Sequence, residues 1–124
     1  MIDWQQIDEV LTPGGDPIEV EIYREFITAT RDTLATVERL IVANAPAKEV
    51  LWELHRVKGS CATFGLSGTA QMVAEWEDAS KKTGVIPSAA DMATLWASFR
   101  ESIAELQRQR PERMALVMAE PSPL

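Results

Sequence analysis

Cysteine and histidine each occur once in this chain of 124 residues, as Cys61 and His55. A single thiol excludes an internal disulfide framework, and one thiol with one imidazole is too thin a ligand set for a zinc site. No apolar run approaches the roughly 20 residues that span a bilayer. The opening residues lack the basic and then apolar pattern of a signal peptide. A Gly-rich phosphate loop is missing too, so nothing here could bind ATP as a kinase domain does, and any phosphate must come from another protein. Basic charge is scarce: 12 Lys and Arg stand against 19 Asp and Glu, a net charge of −7. That balance argues against nucleic acid and against anionic membrane surfaces as partners. No internal repeat is visible. The expectation is a cytoplasmic monomer with no metal and no other cofactor.

What is present is ordinary globular material. Hydrophobic residues make up 46% of the chain and charges of both signs are mixed among them, which suits one packed domain. Asp3 followed by Gln6 has capping-box spacing, and Ile7, Val10 and Leu11 then give a short amphipathic helix. Thr12-Pro13-Gly14-Gly15 ends it. Asp16-Pro17-Ile18-Glu19 restarts a helix, with Asp as cap and Pro at the first position. Its buried stripe is read as Ile22, Phe26, Ala29, Thr30, Val37, Leu40 and Ile41, with Leu34 between. Asn44-Ala45-Pro46 turns the chain into a helix running from near Pro46 to Phe64, with Gly65 as terminator. A further helix runs from about Ser67 to Thr83, with Leu66, Ala70, Val73, Trp76 and Ser80 inward and Gly84 at its end. Ser88 and Asp91 form a second capping-box pair, and Met92, Leu95, Trp96, Phe99, Ile103 and Leu106 line the last long helix, closed by Pro111. The spacing predicts an all-α fold: an antiparallel up-down-up-down four-helix bundle with a short extra N-terminal helix. Residues 1–110 are assigned to the bundle and 111–124 to a C-terminal tail.

The stretch His55-Arg56-Val57-Lys58-Gly59-Ser60-Cys61-Ala62-Thr63-Phe64-Gly65 carries the chemistry. Apolar residues recur at Val50, Leu54, Val57, Cys61 and Phe64, the stripe of a half-buried helix. At about 100° per residue, His55 projects about 145° away from that stripe. Lys58 and Gly59 lie one turn on, to either side, and Ala62 two turns on almost in line. The imidazole therefore faces outward above small side chains. Gly59 costs about 1 kcal/mol relative to alanine in a helix, and close approach of another surface is the natural reason for it. A neutral imidazole is a good nucleophile. A phosphoryl group on the ring would lie within reach of Lys58, and phosphoryl transfer needs little beyond positioning and charge stabilisation. A lone helical histidine is ordinarily just a solvated or capping side chain; the whole spacing, with both glycines, sets this one apart. Cys61, on the stripe, is expected to be a buried structural thiol.

His-x-x-Lys-Gly-Ser followed by Gly65 resembles the motif of histidine-containing phosphotransfer (HPt) domains. The run Ala62-Thr63-Phe64-Gly65 is also similar to the phosphorylated first domain of chemotaxis histidine kinases. The resemblance covers the motif and, more loosely, the helical layout from about Asp16 to Arg108. It implies that His55 is phosphorylated through its ε nitrogen, that Lys58 neutralises the phosphoryl group, and that Gly59 opens the approach; the helical spacing itself leaves space above Gly59 and Ala62 to admit the donor. It implies that Gly65 permits tight packing at the helix end. In the chemotaxis version a glutamate of the next helix, matched by Glu77, bonds the δ nitrogen; the residues alone leave Glu77 between that role and a surface charge. Ser60 stands where chemotaxis kinases usually carry glycine, which favours the relay family, and Gly68 stands where a helix former is more usual.

The function so implied is a phosphocarrier that shuttles a phosphoryl group between receiver-domain aspartates in a multistep two-component phosphorelay. It is not an enzyme with its own turnover. The partners are the receiver domain of a response regulator, of a hybrid histidine kinase, or both, and any magnesium belongs to the receiver. Two alternatives stand beside it: the phosphoacceptor domain of a chemotaxis-type or hybrid kinase, and a helical adaptor without phosphate chemistry.

Overall fold

Local chemistry sets most of the helix ends. In the computed structural model, which describes residues 1–119, the helices are α1 (Trp4–Val10), α2 (Pro17–Val42), α3 (Ala47–Thr63), α4 (Ser67–Thr83), α5 (Ala89–Gln109) and α6 (Pro111–Met118). No strand occurs among the described residues. Asp16 caps α2 through the Ile18 amide, with Pro17 in the first turn. Ser88 and Asp91 form the reciprocal capping box of α5. Gly84 ends α4 in the left-handed conformation, φ 73°. Gly65 does the same for α3 at φ 84°, where the Leu66 amide donates to the Cys61 carbonyl and the Gly65 amide to that of Ala62. This pair of bonds is the Schellman arrangement, and it satisfies two carbonyls that the helix end would otherwise leave free.

The N-terminal segment is held by contacts far away in sequence. Asp3 caps α1 through the Gln6 amide, but the Gln6 side chain does not reach back as expected. Its amide nitrogen donates instead to the Thr63 carbonyl at 2.7 Å, tying α1 to the end of α3. A Cβ on Gly65 would lie 2.7 Å from Ile7 Cδ1, so the glycine admits α1 against that turn. Gly68 has a similar reason: a Cβ there would sit 2.5 Å from the backbone nitrogen of Met1. The Gly68 amide donates to the Met1 carbonyl at 2.9 Å, which caps α4, a helix with no side-chain cap of its own.

Side chains bridge the long helices, His55 to Glu77 between α3 and α4 and Thr69 to Ser98 between α4 and α5. α3 packs on α2 and α4, while α5 closes the core from the other side against α2 and α4. Tyr23, Phe26, Phe64 and Phe99 form an aromatic cluster, and the buried Tyr23 hydroxyl donates to the Phe64 carbonyl at 2.9 Å. Cys61 is fully buried as expected, and burial pushes its thiol up to about 12.

Two expectations change. The buried stripe of α2 is Val20, Tyr23, Phe26, Ile27, Thr30, Leu34 and Val37. Ile22 and Ala29 are exposed and Leu40 is only half-buried. These three lie on one edge of α2, beside α3; α6 packs elsewhere on α2 and shifts the buried centre away from that edge. Nor is the segment after Pro111 simply a tail. Pro111 ends α5 and opens α6, whose Met114 and Val117 are each 1% exposed. Arg24 of α2 donates to the Leu116 and Val117 carbonyls, cationic capping of a helix C-terminus. Arg110 and Arg113 both bind Asp8 of α1, which they hold down at about 2. The last part of the expected tail, 120–124, lies outside the described residues.

Candidate functional site

α3 buries Val50, Leu54, Val57 and Cys61 and so turns the opposite face out. His55 lies on that face with its side chain 59% exposed. Gly59 and Ala62 are exposed beside it, and a Cβ at Gly59 would meet nothing within 4 Å. The floor next to the imidazole is open.

Glu77, one helix away on α4, joins the two charged groups of α3. Its Oε2 lies 3.1 Å from His55 Nδ1, and its Oε1 lies 3.1 Å from Lys58 Nζ. The contact with Lys58 is a charge pair, since no hydrogen-bond donor is directed at the buried Oε1. Burial raises the Glu77 pKa, but the His55 hydrogen bond and the Lys58 ammonium outweigh it, leaving the carboxyl below its ordinary value. An ionised carboxylate only accepts hydrogen bonds. Nδ1 must then carry the proton, and in the neutral ring the lone pair is left on Nε2. Among the described residues nothing pairs with Nε2. The site is a fixed imidazole with its unshared nitrogen facing solvent, a cation one turn away, and an anion behind the ring.

Sequence spacing had placed His55, Lys58, Gly59 and Ala62 on one face, and the structure finds them together there. Glu77, which the residues alone left between an imidazole partner and a surface charge, lies with its carboxylate on the ring nitrogen. What the spacing did not show are two grooves between α2 and α3, neither lined by a residue of the site. Ile22, Phe26, Ala29, Arg56, Ser60 and Phe64 are among the residues lining one. Thr36, Leu40, Lys48, Glu49, Trp52 and Glu53 line the second. Trp52 is 65% exposed. The signal available was a tryptophan lying off the stripe Val50, Leu54, Val57.

The family model of the Hpt domain matches residues 21–109 of this chain. That span contains α3, α4 and α5 and most of α2, with all five residues of the site. The chain belongs to the Hpt domain family, and its function lies in histidine phosphotransfer. No curated protein and no solved structure matches it. No helix among the described residues is long and apolar enough to cross a membrane, and no three or more His, Cys, Asp or Glu side chains cluster there as metal ligands.

Proposed function

We propose that this protein is a phosphocarrier in a multistep phosphorelay, its long helices forming an up-down-up-down bundle that displays His55 to receiver domains. The observation that carries the reading is the His55–Glu77 bond of 3.1 Å beneath an exposed ring. With Nδ1 donating to Glu77, the Nε2 lone pair attacks the phosphorus of a receiver's aspartyl phosphate. The N–P bond forms as the O–P bond breaks, and the aspartate leaves as carboxylate. Nδ1 keeps its proton, so the product is a phosphorylated imidazolium paired with the Glu77 carboxylate. Lys58 turns from Glu77 toward the phosphoryl oxygens. The reverse sequence delivers the group to a second receiver. Magnesium belongs to the receivers, and the carrier works as a cytoplasmic monomer without a catalytic cycle of its own.

The same His55–Glu77 contact favours a second reading, the phosphoacceptor domain of a chemotaxis-type or hybrid kinase, in which the first donor is ATP on a separate catalytic domain. Incubation with a phosphorylated receiver tests the first reading: acid-labile, base-stable label should appear on the wild-type protein and be absent from a folded His55→Gln variant. Label on His55→Gln would remove the central claim. Label obtained only from a kinase catalytic domain with ATP, and from no receiver, would select the second reading.

A further inference from the structure

Resting on the functional reading above, we propose that the N-terminal segment 1–7 is a positioning element for phosphotransfer, a strap across the α3–α4 turn that keeps Glu77 in register with His55. The strap lies outside residues 21–109, so the family match does not account for it. A helix end leaves carbonyls free and a helix start leaves amides free. At this turn the strap supplies partners for both. The successive carbonyls of Thr63, Phe64 and Gly65 accept from the Gln6 side chain at 2.7 Å, the Tyr23 hydroxyl at 2.9 Å and the Asp3 amide at 2.9 Å. On the α4 side, the Gly68 amide and the Ser67 hydroxyl donate to the Met1 carbonyl at 2.9 and 3.4 Å. Ile7 is fully buried and seats against Gly65, where no Cβ would fit. One short segment thus grips the last turn of α3 and the first turn of α4 together.

These two helices carry the site, His55 and Lys58 on one and Glu77 on the other. The contact between them has little slack. His55 Nδ1 lies 3.1 Å from Glu77 Oε2, near the long end of the N–H···O range of about 2.7–3.2 Å. The far end of α4 is fixed by the Ser80 hydroxyl, which donates to the Val85 carbonyl at 2.6 Å. At about 1.5 Å per residue, Gly68 lies about 24 Å from that end at Gly84, and Glu77 about 10 Å from it. For a swing of α4 about that end, a shift of about 1 Å at Gly68 moves Glu77 by about 0.4 Å. The bond to His55 then stretches to about 3.5 Å, beyond the range of a good hydrogen bond. A misplacement of about 1 Å costs about a hundredfold in rate, so about 0.4 Å costs about sixfold. The α4 helix has no side-chain cap to hold its first turn once the strap is released.

The test uses the full chain carrying Gln6→Ala and Gly68→Ala together. The first removes the donor to Thr63. The second puts a Cβ 2.5 Å from the Met1 nitrogen and so displaces the strap, while alanine favours α4 itself. Gln6→Lys alone keeps a donor for the Thr63 carbonyl and should behave as wild type. Met114→Ala lowers stability away from the site and serves as control. All are measured well below their melting temperatures. Nitrogen-15 NMR reads the His55 tautomer, and phosphoramidate, a small donor that needs no docking surface, reads the nucleophile. In the double variant the Nε2-protonated share of the ring should rise and labelling should slow about sixfold; Met114→Ala should change neither. On a Glu77→Ala background the strap substitutions should slow labelling no further, since the strap acts through Glu77. A double variant that melts lower but keeps its tautomer and rate reduces the strap to a brace and overturns the proposal. An equal loss in Met114→Ala overturns it too, as does a further loss on the Glu77→Ala background. A wild-type protein that takes label from neither receivers nor phosphoramidate sinks the functional reading; the tautomer, which needs no phosphate, still decides whether the strap holds the His55–Glu77 bond.

Discussion

Gly59 separates stability from activity at one position. It lies inside α3, where glycine is less favourable than alanine by about 1 kcal/mol. A Cβ added there meets nothing within 4 Å, so the methyl group of Gly59→Ala carries no steric penalty. The full propensity difference should therefore appear as stability. For 124 residues, at an unfolding entropy of about 2.1 cal/mol/K per residue, 1 kcal/mol corresponds to a rise of about 4 °C in Tm. Gly59→Leu and Gly59→Lys should also fold, since their side chains extend into solvent. Transfer should move the other way. Gly59 is one turn from His55 on the same exposed face, and atoms added there occupy space the receiver needs. In-line attack requires reacting atoms about 3–3.5 Å apart, and a misplacement of 1 Å costs about a hundredfold. Differential scanning calorimetry and single-turnover transfer on the three variants give both axes. Unfolding of the large variants would make Gly59 a packing glycine. Unimpaired transfer by Gly59→Lys would mean that the receiver does not approach over this face.

Three other perturbations probe separate parts of the structure. Glu77→Gln keeps an acceptor for Nδ1 but removes the charge; a charge-assisted hydrogen bond is worth about 1.5–3 kcal/mol, so single-turnover transfer should slow by about 10- to 100-fold, and an unchanged rate would reduce Glu77 to a surface charge. Asp8 is held at about 2 against an ordinary 3.8, first by its hydrogen bonds from Arg110 and Arg113. A depressed carboxylate stabilises the fold above the unfolded-state value and loses that contribution as pH falls through the folded one. Asp8→Asn should accordingly lower stability at pH 7 and flatten the change in urea midpoint between pH 4 and pH 2; an unaltered pH profile would mean the cluster does not hold α6 to α1. Met114→Ala should cost about 2–5 kcal/mol, because Met114 is 1% exposed in the core. A loss under about 0.5 kcal/mol, the surface range, would return 111–118 to a loosely attached tail.

What could be read from the chain alone was the chemistry that acts over a turn or two. Asp16 before Pro17, Ser88 with Asp91, and Gly84 after Lys82-Thr83 end their helices through groups within a few residues, so each boundary stood where the structure has it. His55, Lys58, Gly59 and Ala62 share a face because helical spacing alone brings them there. Distance along the chain marks where that reading ran out. Nothing near Glu77 in sequence says that its carboxylate meets His55 and Lys58, since this depends on the register of α4 against α3. Gln6 looked like a capping residue, yet the end of α3 lies near enough to take its side chain. Gly68 appeared misplaced in a helix until Met1 was found on its Cα. The apolar edge of α2 gave a regular stripe that included Ile22 and Leu40; which arc of a helix is buried is decided by the neighbours packed on it, and α6 took a share that left this edge in water. The same apolar spacing serves a buried stripe or an edge left in water, and only the tertiary packing, by covering one arc and not another, distinguishes them.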